Sequence, residues 1–202
     1  MSSGYIVIDP RERPRVPWAN GHGVTRECAR DPAGAWRLSV ADLDSDAPFS
    51  VLPGLDRLFI LLAGELTLTV NGRRRSLVAG EVTRFRGEDA VTVSTRRPAQ
   101  AANLMVTRDR AAVTYRRADV DRRLGAPRGG GELLVLLTPA RARDGEMLPA
   151  GSALVPGPQS ADDGPRLPLA GPVRLVRFRV HRTGASAVAA PQGAAAGSTP
   201  DP

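Results

Sequence analysis

Apolar residues in this chain recur mostly at every second position, in short segments separated by turn residues. In the segment 36–41, Trp36, Leu38 and Val40 share one face, and Arg37 and Ser39 share the other. Leu66, Leu68 and Val70 alternate in the same way with Thr67 and Thr69. Successive side chains of an extended strand point to opposite faces, so this spacing predicts half-buried β-strands. Asn71-Gly72 follows the second segment and is the strongest local hairpin signal in the chain. Both residues tolerate the positive φ that a tight hairpin turn requires. The return strand is expected over 73–78, and further short strands over 5–9, 25–29, 57–63, 82–85, 91–94, 102–107 and 112–116. Pro10, Pro14 and Pro17 interrupt regular structure after the first strand, and 31–34 reads as a turn. This rhythm favours a closed antiparallel barrel or sandwich over alternating strands and helices.

A polar connector from Asp119 to Gly131 leads into a second, smaller block with strands expected over 132–138, 146–148, 152–155 and 174–180. From Thr183 to Pro202 the chain is almost wholly small and polar residues, which bury too little area to fold. The expected organisation is therefore a first barrel over 1–118, a second half over 119–182 and a disordered tail over 183–202. The longest apolar run, 58–63, is far below membrane-spanning length, and the first residues carry no targeting pattern. The lone cysteine, Cys28, excludes an intrachain disulfide and reads as a small buried strand residue. A cytoplasmic protein without membrane contact is expected.

The 28 basic residues outnumber the 21 acidic ones, and every one of them is arginine. They are spread along the chain in short runs, with no recognition helix, zinc finger or aromatic interleaving. Net charge alone is a weak cue, so no nucleic-acid partner is expected. Metal chemistry lacks ligands: His22, His181, Cys28 and scattered carboxylates form no recognised metal-binding spacing. No cofactor is expected. There is no G-x-S-x-G elbow, and Gly21-His22-Gly23 is not followed by a helix that would make it a phosphate loop. What remains is a ligand cradle. Arg26, Arg37 and Arg57 lie in or beside strands, where a guanidinium fork can meet a carboxylate. Asn20 and Asn103 can donate and accept, and Trp18 and Trp36 can wall a pocket. Each has a plainer reading as well: Arg26-Glu27 as an ion pair, Trp36 as core, Asn20 as a loop cap. Taken together they point to a pocket, because buried polar groups need partners and a small ligand supplies them.

Six segments then follow one another in order: 16–27 with its dense Trp, Asn, His and Arg-Glu content, 36–41, 48–57, 61–65, 85–89 and 103–108. In these residues the chain resembles the HutD/Ves family over roughly 5–117. The resemblance implies an all-β, cupin-like antiparallel barrel or jelly roll, a bicupin with a smaller second half, and a link to histidine utilisation. The family pattern W-x-N-G-G-G-x-T-R-E carries His22 here in place of its middle glycine, and the family's acid before the asparagine is Ala101. The resemblance makes Trp18, Asn20, Thr25, Arg26, Glu27, Trp36, Arg37, Ser39, Phe49, Pro53, Gly54, Arg57, Asn103 and Arg108 signature positions. The expected ligand-binding set is Trp18, Asn20, His22, Arg26, Glu27, Trp36, Arg37, Arg57, Asn103 and Arg108. Three functions fit. The first is a non-metal module binding a small carboxylate-bearing metabolite, in a regulatory or accessory role in amino-acid catabolism. The second is an isomerase or hydrolase using Glu27 and His22 as acid and base. The third is a structural or protein-binding barrel with a collapsed pocket. Exposed barrel edges also allow a homodimer.

Overall fold

A computed structural model describes residues 5–18, 22–120, 131–156 and 169–183. In chain order its strands are β1 (Tyr5–Ile8), β2 (Val16–Pro17), β3 (Gly23–Arg30), β4 (Trp36–Leu43), β5 (Ala47–Pro48), β6 (Leu55–Ala63), β7 (Glu65–Val70), β8 (Arg73–Val78) and β9 (Val82–Arg86). They continue with β10 (Val91–Ser94), β11 (Ala99–Thr107), β12 (Ala111–Val120), β13 (Gly131–Leu136), β14 (Ala140–Arg141), β15 (Met147–Leu148), β16 (Ala153–Pro156) and β17 (Val173–Arg182). The short 3-10 turn Pro10–Glu12 links β1 to β2. Among the described residues no helix is long and apolar enough to cross a membrane.

The strands form a four-stranded sheet in the order β5-β10-β7-β8, a six-stranded sheet β2-β3-β4-β11-β6-β9, a five-stranded sheet β1-β16-β13-β17-β12 and the hairpin β14-β15. Strand pairs within these sheets are antiparallel. The six-stranded sheet lies in the middle. Phe59 and Leu61 of β6 pack with Leu66, Leu68, Leu77, Val91 and Val93 in the core of the first barrel. Leu58, Ile60 and Leu62 of the same strand pack on the opposite face with Leu133, Val135, Val176 and Phe178. A strand buried on both faces reads as an unbroken apolar run, which is what residues 58–62 are. β13 repeats the device: Leu133 and Val135 join the shared core, while Leu134 and Leu136 face a third core with Ala140, Leu148 and Leu175. β7 has one solvated side, so its leucines alternate with threonines. Each fully buried leucine or isoleucine contributes about 1.5–3 kcal/mol, so the doubly covered strands carry much of the stability.

The Asn71-Gly72 hairpin forms as expected, with φ of 49° and 80° and Val70 opposite Arg73. The expected boundary at 118 falls within β12. β1 pairs with β16 at one side of the five-stranded sheet, and β12 runs along β17 from Ala111 to Val120. Residues 5–8 and 111–118 therefore share a sheet with β13, β16 and β17. The reason is burial: Ile8, Ala111 and Val113 are needed to cover the outer face of the six-stranded sheet. The expected tail beyond 183 and connector residues 121–130 lie outside the described residues.

Candidate functional site

The first barrel is not packed to its end. A cavity of about 440 Å³ opens between the six-stranded sheet and the loop after β5. Strand register determines what faces it. Glu27, Ser39, Asn103 and Phe59 sit opposite one another on β3, β4, β11 and β6. The neighbouring row is Arg37, Met105, Arg57 and Phe85, on β4, β11, β6 and β9. On the other side Thr25, Ala41 and Ala101 make a row of small residues, which leaves the space open. Phe49, Ser50 and Leu52 from the loop and Val16, Pro17 and Trp18 from the N-terminal segment complete the wall.

Trp18 is held by the motif that follows it. Its backbone N–H donates to the Gly23 carbonyl at 2.9 Å, and its indole Nε1–H donates to Thr25 Oγ1 at 2.6 Å. A Cβ on Gly23 would come within 3.1 Å of the indole and 2.9 Å of the Asp42 carbonyl, so glycine is required for this approach. The Trp18 ring meets Phe49 edge to face at 6.0 Å.

Arg57 dominates the electrostatics. It is 5% exposed, and among the described residues no carboxylate pairs with it. Its guanidinium carbon lies 4.8 Å from the Phe49 ring centre and 5.1 Å from that of Phe85. Nη1 reaches only the Ser50 carbonyl, at 3.5 Å, and Nε is buried without a hydrogen-bond partner. Burial, reinforced by the charge of Arg37, lowers its pKa from 12.5 to about 10, so it stays a cation at neutral pH. Asn103 is 8% exposed and its Oδ1 also lacks a partner. Arg37 is exposed at the rim, with Nη2 donating to Met105 Sδ at 3.2 Å. Glu27 is neutralised locally: Arg30 donates to both of its oxygens, at 2.5 and 2.6 Å, and holds its carboxyl below the usual range. The cavity thus presents cationic fork donors and one unused acceptor among aromatic and small apolar walls.

Of the sequence-derived set, Trp18, Glu27, Arg37, Arg57 and Asn103 line this cavity. Arg26 does not. It faces the other side of β3 and pairs with Asp42 at 2.6 Å, whose second oxygen accepts from Gln100 at 2.9 Å. Trp36 packs against the shared core. Arg108 pairs with Glu88 and Asp56 outside the cavity. His22 is exposed, with Nδ1 3.2 Å from Ser45 Oγ, and is not part of the wall. Glu27 and His22 are therefore not brought together as an acid–base pair. Asn20 lies outside the described residues. Thr25, Ser39, Phe49 and Met105 line the cavity although the residue chemistry alone did not single them out. Ser39 and Met105 share strand parity with Arg37 and Asn103, which was a usable signal. Phe49 sits in an irregular loop without periodicity, so only the resemblance marked it. Cys28 is a bulge residue between Glu27 and Ala29, buried in the shared core, with its thiol pushed up to about 11 by burial. Among the described residues no three His, Cys, Asp or Glu side chains group to hold a metal ion.

An antiparallel all-β barrel with a polar-floored cavity at its open end defines a cupin-like protein. A cupin 2 conserved barrel domain protein from Leptotrichia buccalis shares the fold, with a TM-score of 0.58 at 9% identity over 90% of this chain and 98% of that one. The chain belongs to the HutD family, whose model matches residues 11–151. Protein Ves of Cronobacter sakazakii is 38% identical over 130 residues, covering 61% of this chain and 72% of that protein. HutD from Pseudomonas fluorescens SBW25, in a formate condition, superposes with a TM-score of 0.71 at 26% identity, over 89% of this chain and 100% of that one.

Proposed function

We propose that this protein is a cytoplasmic, metal-independent binder of a small carboxylate-bearing metabolite, acting in an accessory or regulatory role in histidine or related amino-acid catabolism. The observation that carries the reading is Arg57: a cation 5% exposed, in a cavity, without a carboxylate among the described residues. A buried charge left unpaired is costly, and a ligand carboxylate offsets that cost through a charge-assisted, two-point hydrogen bond. Asn103 Oδ1 offers a complementary acceptor for an N–H on the same ligand. Phe49, Phe59 and Trp18 give the apolar body of such a molecule a surface to lie on. The HutD name links the family to histidine utilisation, and the P. fluorescens HutD structure in a formate condition makes formate the simplest probe.

The test is isothermal titration with formate, urocanate and N-formylglutamate, on the protein and on Arg57→Ala. Saturable binding is expected, weakened about 10- to 100-fold in the variant, the worth of hydrogen bonds to a charged group. Folded protein that takes up none of the three overturns the ligand class.

A further inference from the structure

The loop between β5 and β6, residues 49–54, gives the cavity Phe49, Ser50 and Leu52, yet it belongs to no strand. What fixes it lies on its outer side. Arg108 Nη1 donates to the Leu55 carbonyl at 3.1 Å and to Glu88 Oε2 at 2.9 Å, while its Nη2 pairs with Glu88 Oε1. The Arg108 backbone N–H donates to the Gly54 carbonyl at 3.0 Å, and the Gly54 N–H donates to Glu88 Oε1 at 3.3 Å. Leu52 N–H donates to the Gly87 carbonyl at 2.7 Å, and Gly87 N–H to the Leu55 carbonyl at 2.8 Å. A Cβ on Gly87 would lie 1.9 Å from the Leu52 carbonyl oxygen, so this close approach of turn and loop requires glycine at 87. On its inner side the same loop supplies two of the three groups around the Arg57 guanidinium, the Ser50 carbonyl and the Phe49 ring, the third being the Phe85 ring of β9.

We propose that Arg108 and Glu88 are positioning residues for the cavity, clamping the 49–54 loop so that Ser50 and Phe49 hold the Arg57 fork toward a bound carboxylate. Its functional meaning rests on the carboxylate-binding reading. With no carboxylate of the described chain to aim it, the Arg57 guanidinium depends on loop contacts for its direction. Misplacing a binding group by about 1 Å weakens its interaction strongly. Arg108 and Glu88 do not line the cavity, so they act on the ligand through the loop they hold and through Arg57, which the loop orients.

The experiment compares the intact protein with Arg108→Ala and the milder Glu88→Gln, which keeps an acceptor for Gly54. Hydrogen exchange is followed at the Leu52 and Gly87 amides and at the Arg57 Nε–H, with the Leu134 amide of the five-stranded sheet as control. In Arg108→Ala the loop amides and the Arg57 Nε–H are expected to exchange roughly tenfold faster, with Leu134 unchanged, as local opening predicts. Formate affinity is expected to fall by a similar factor, about tenfold, with smaller changes in Glu88→Gln. The thermal midpoint moves little, because these are exposed ion pairs. Unchanged exchange at Arg57 Nε–H overturns the proposal, whether or not the loop loosens. So does unchanged formate affinity in a variant whose loop has loosened. If the parent protein binds no carboxylate but the exchange pattern holds, the clamp stands and the ligand reading falls.

Discussion

Among the described residues two arginines are buried on inward strand faces, and the molecule treats them in opposite ways. Arg57 in the six-stranded sheet meets aromatic rings, open space and a long contact to one carbonyl. Arg177 in the five-stranded sheet, 2% exposed, donates to Glu132 Oε2 at 2.5 Å, and Tyr5 donates to Glu132 Oε1 at 2.8 Å. Burial and the adjacent Glu132 push the Tyr5 hydroxyl well above its ordinary pKa, so it remains a donor. The second half cancels its internal charge with its own side chains. The first half leaves the charge in place, which suits a site whose missing partner comes from outside.

The largest expected effect breaks the second arrangement. Glu132→Gln removes the carboxylate from the buried Arg177–Glu132 pair and should cost about 3–5 kcal/mol in urea denaturation, the usual penalty for halving such a pair. Next is Cys28, in the core that both halves share. Its folded pKa is raised from 9.0 to about 11, so the unfolded chain loses its proton first. Its contribution is complete below pH 9 and gone above about pH 11, a change of about 2.7 kcal/mol for the full shift. Urea midpoints at pH 8.5 and 10.5 should fall less for Cys28→Ala than for the parent. The smallest expected effect is Arg57→Met. Removing a lone buried cation should alter stability by no more than about 1 kcal/mol, or raise it, while weakening carboxylate binding as much as Arg57→Ala does. A loss comparable to that of Glu132→Gln would show that Arg57 is structural and erase the contrast.

Much of the barrel is legible in the sequence. Alternation in 36–41 separated Trp36, Leu38 and Val40 from Arg37 and Ser39, and the structure sends the first set to the shared core and the second to the cavity. The same rule places Arg26 opposite Glu27, yet the density of the motif argues for both together. Local spacing could not reveal that 58–62 and 132–136 are covered on both sides, since an apolar run of that length also fits other buried elements. Nor could it pair Glu132 with Arg177, or Arg108 with Glu88. Those contacts depend on how sheets stack, which no local period encodes.

The position of β1 has a consequence for the order in which the chain becomes a protein. During synthesis Tyr5–Ile8 leaves the ribosome well before its partner strand, which places Pro156 opposite Tyr5. Until then a segment with two apolar residues bound for different cores has no sheet to join. Such distant pairing slows folding and prolongs exposure of sticky intermediates. The outer strand β1 of the five-stranded sheet is made before every other described strand, so that sheet is completed by a segment that has waited for it.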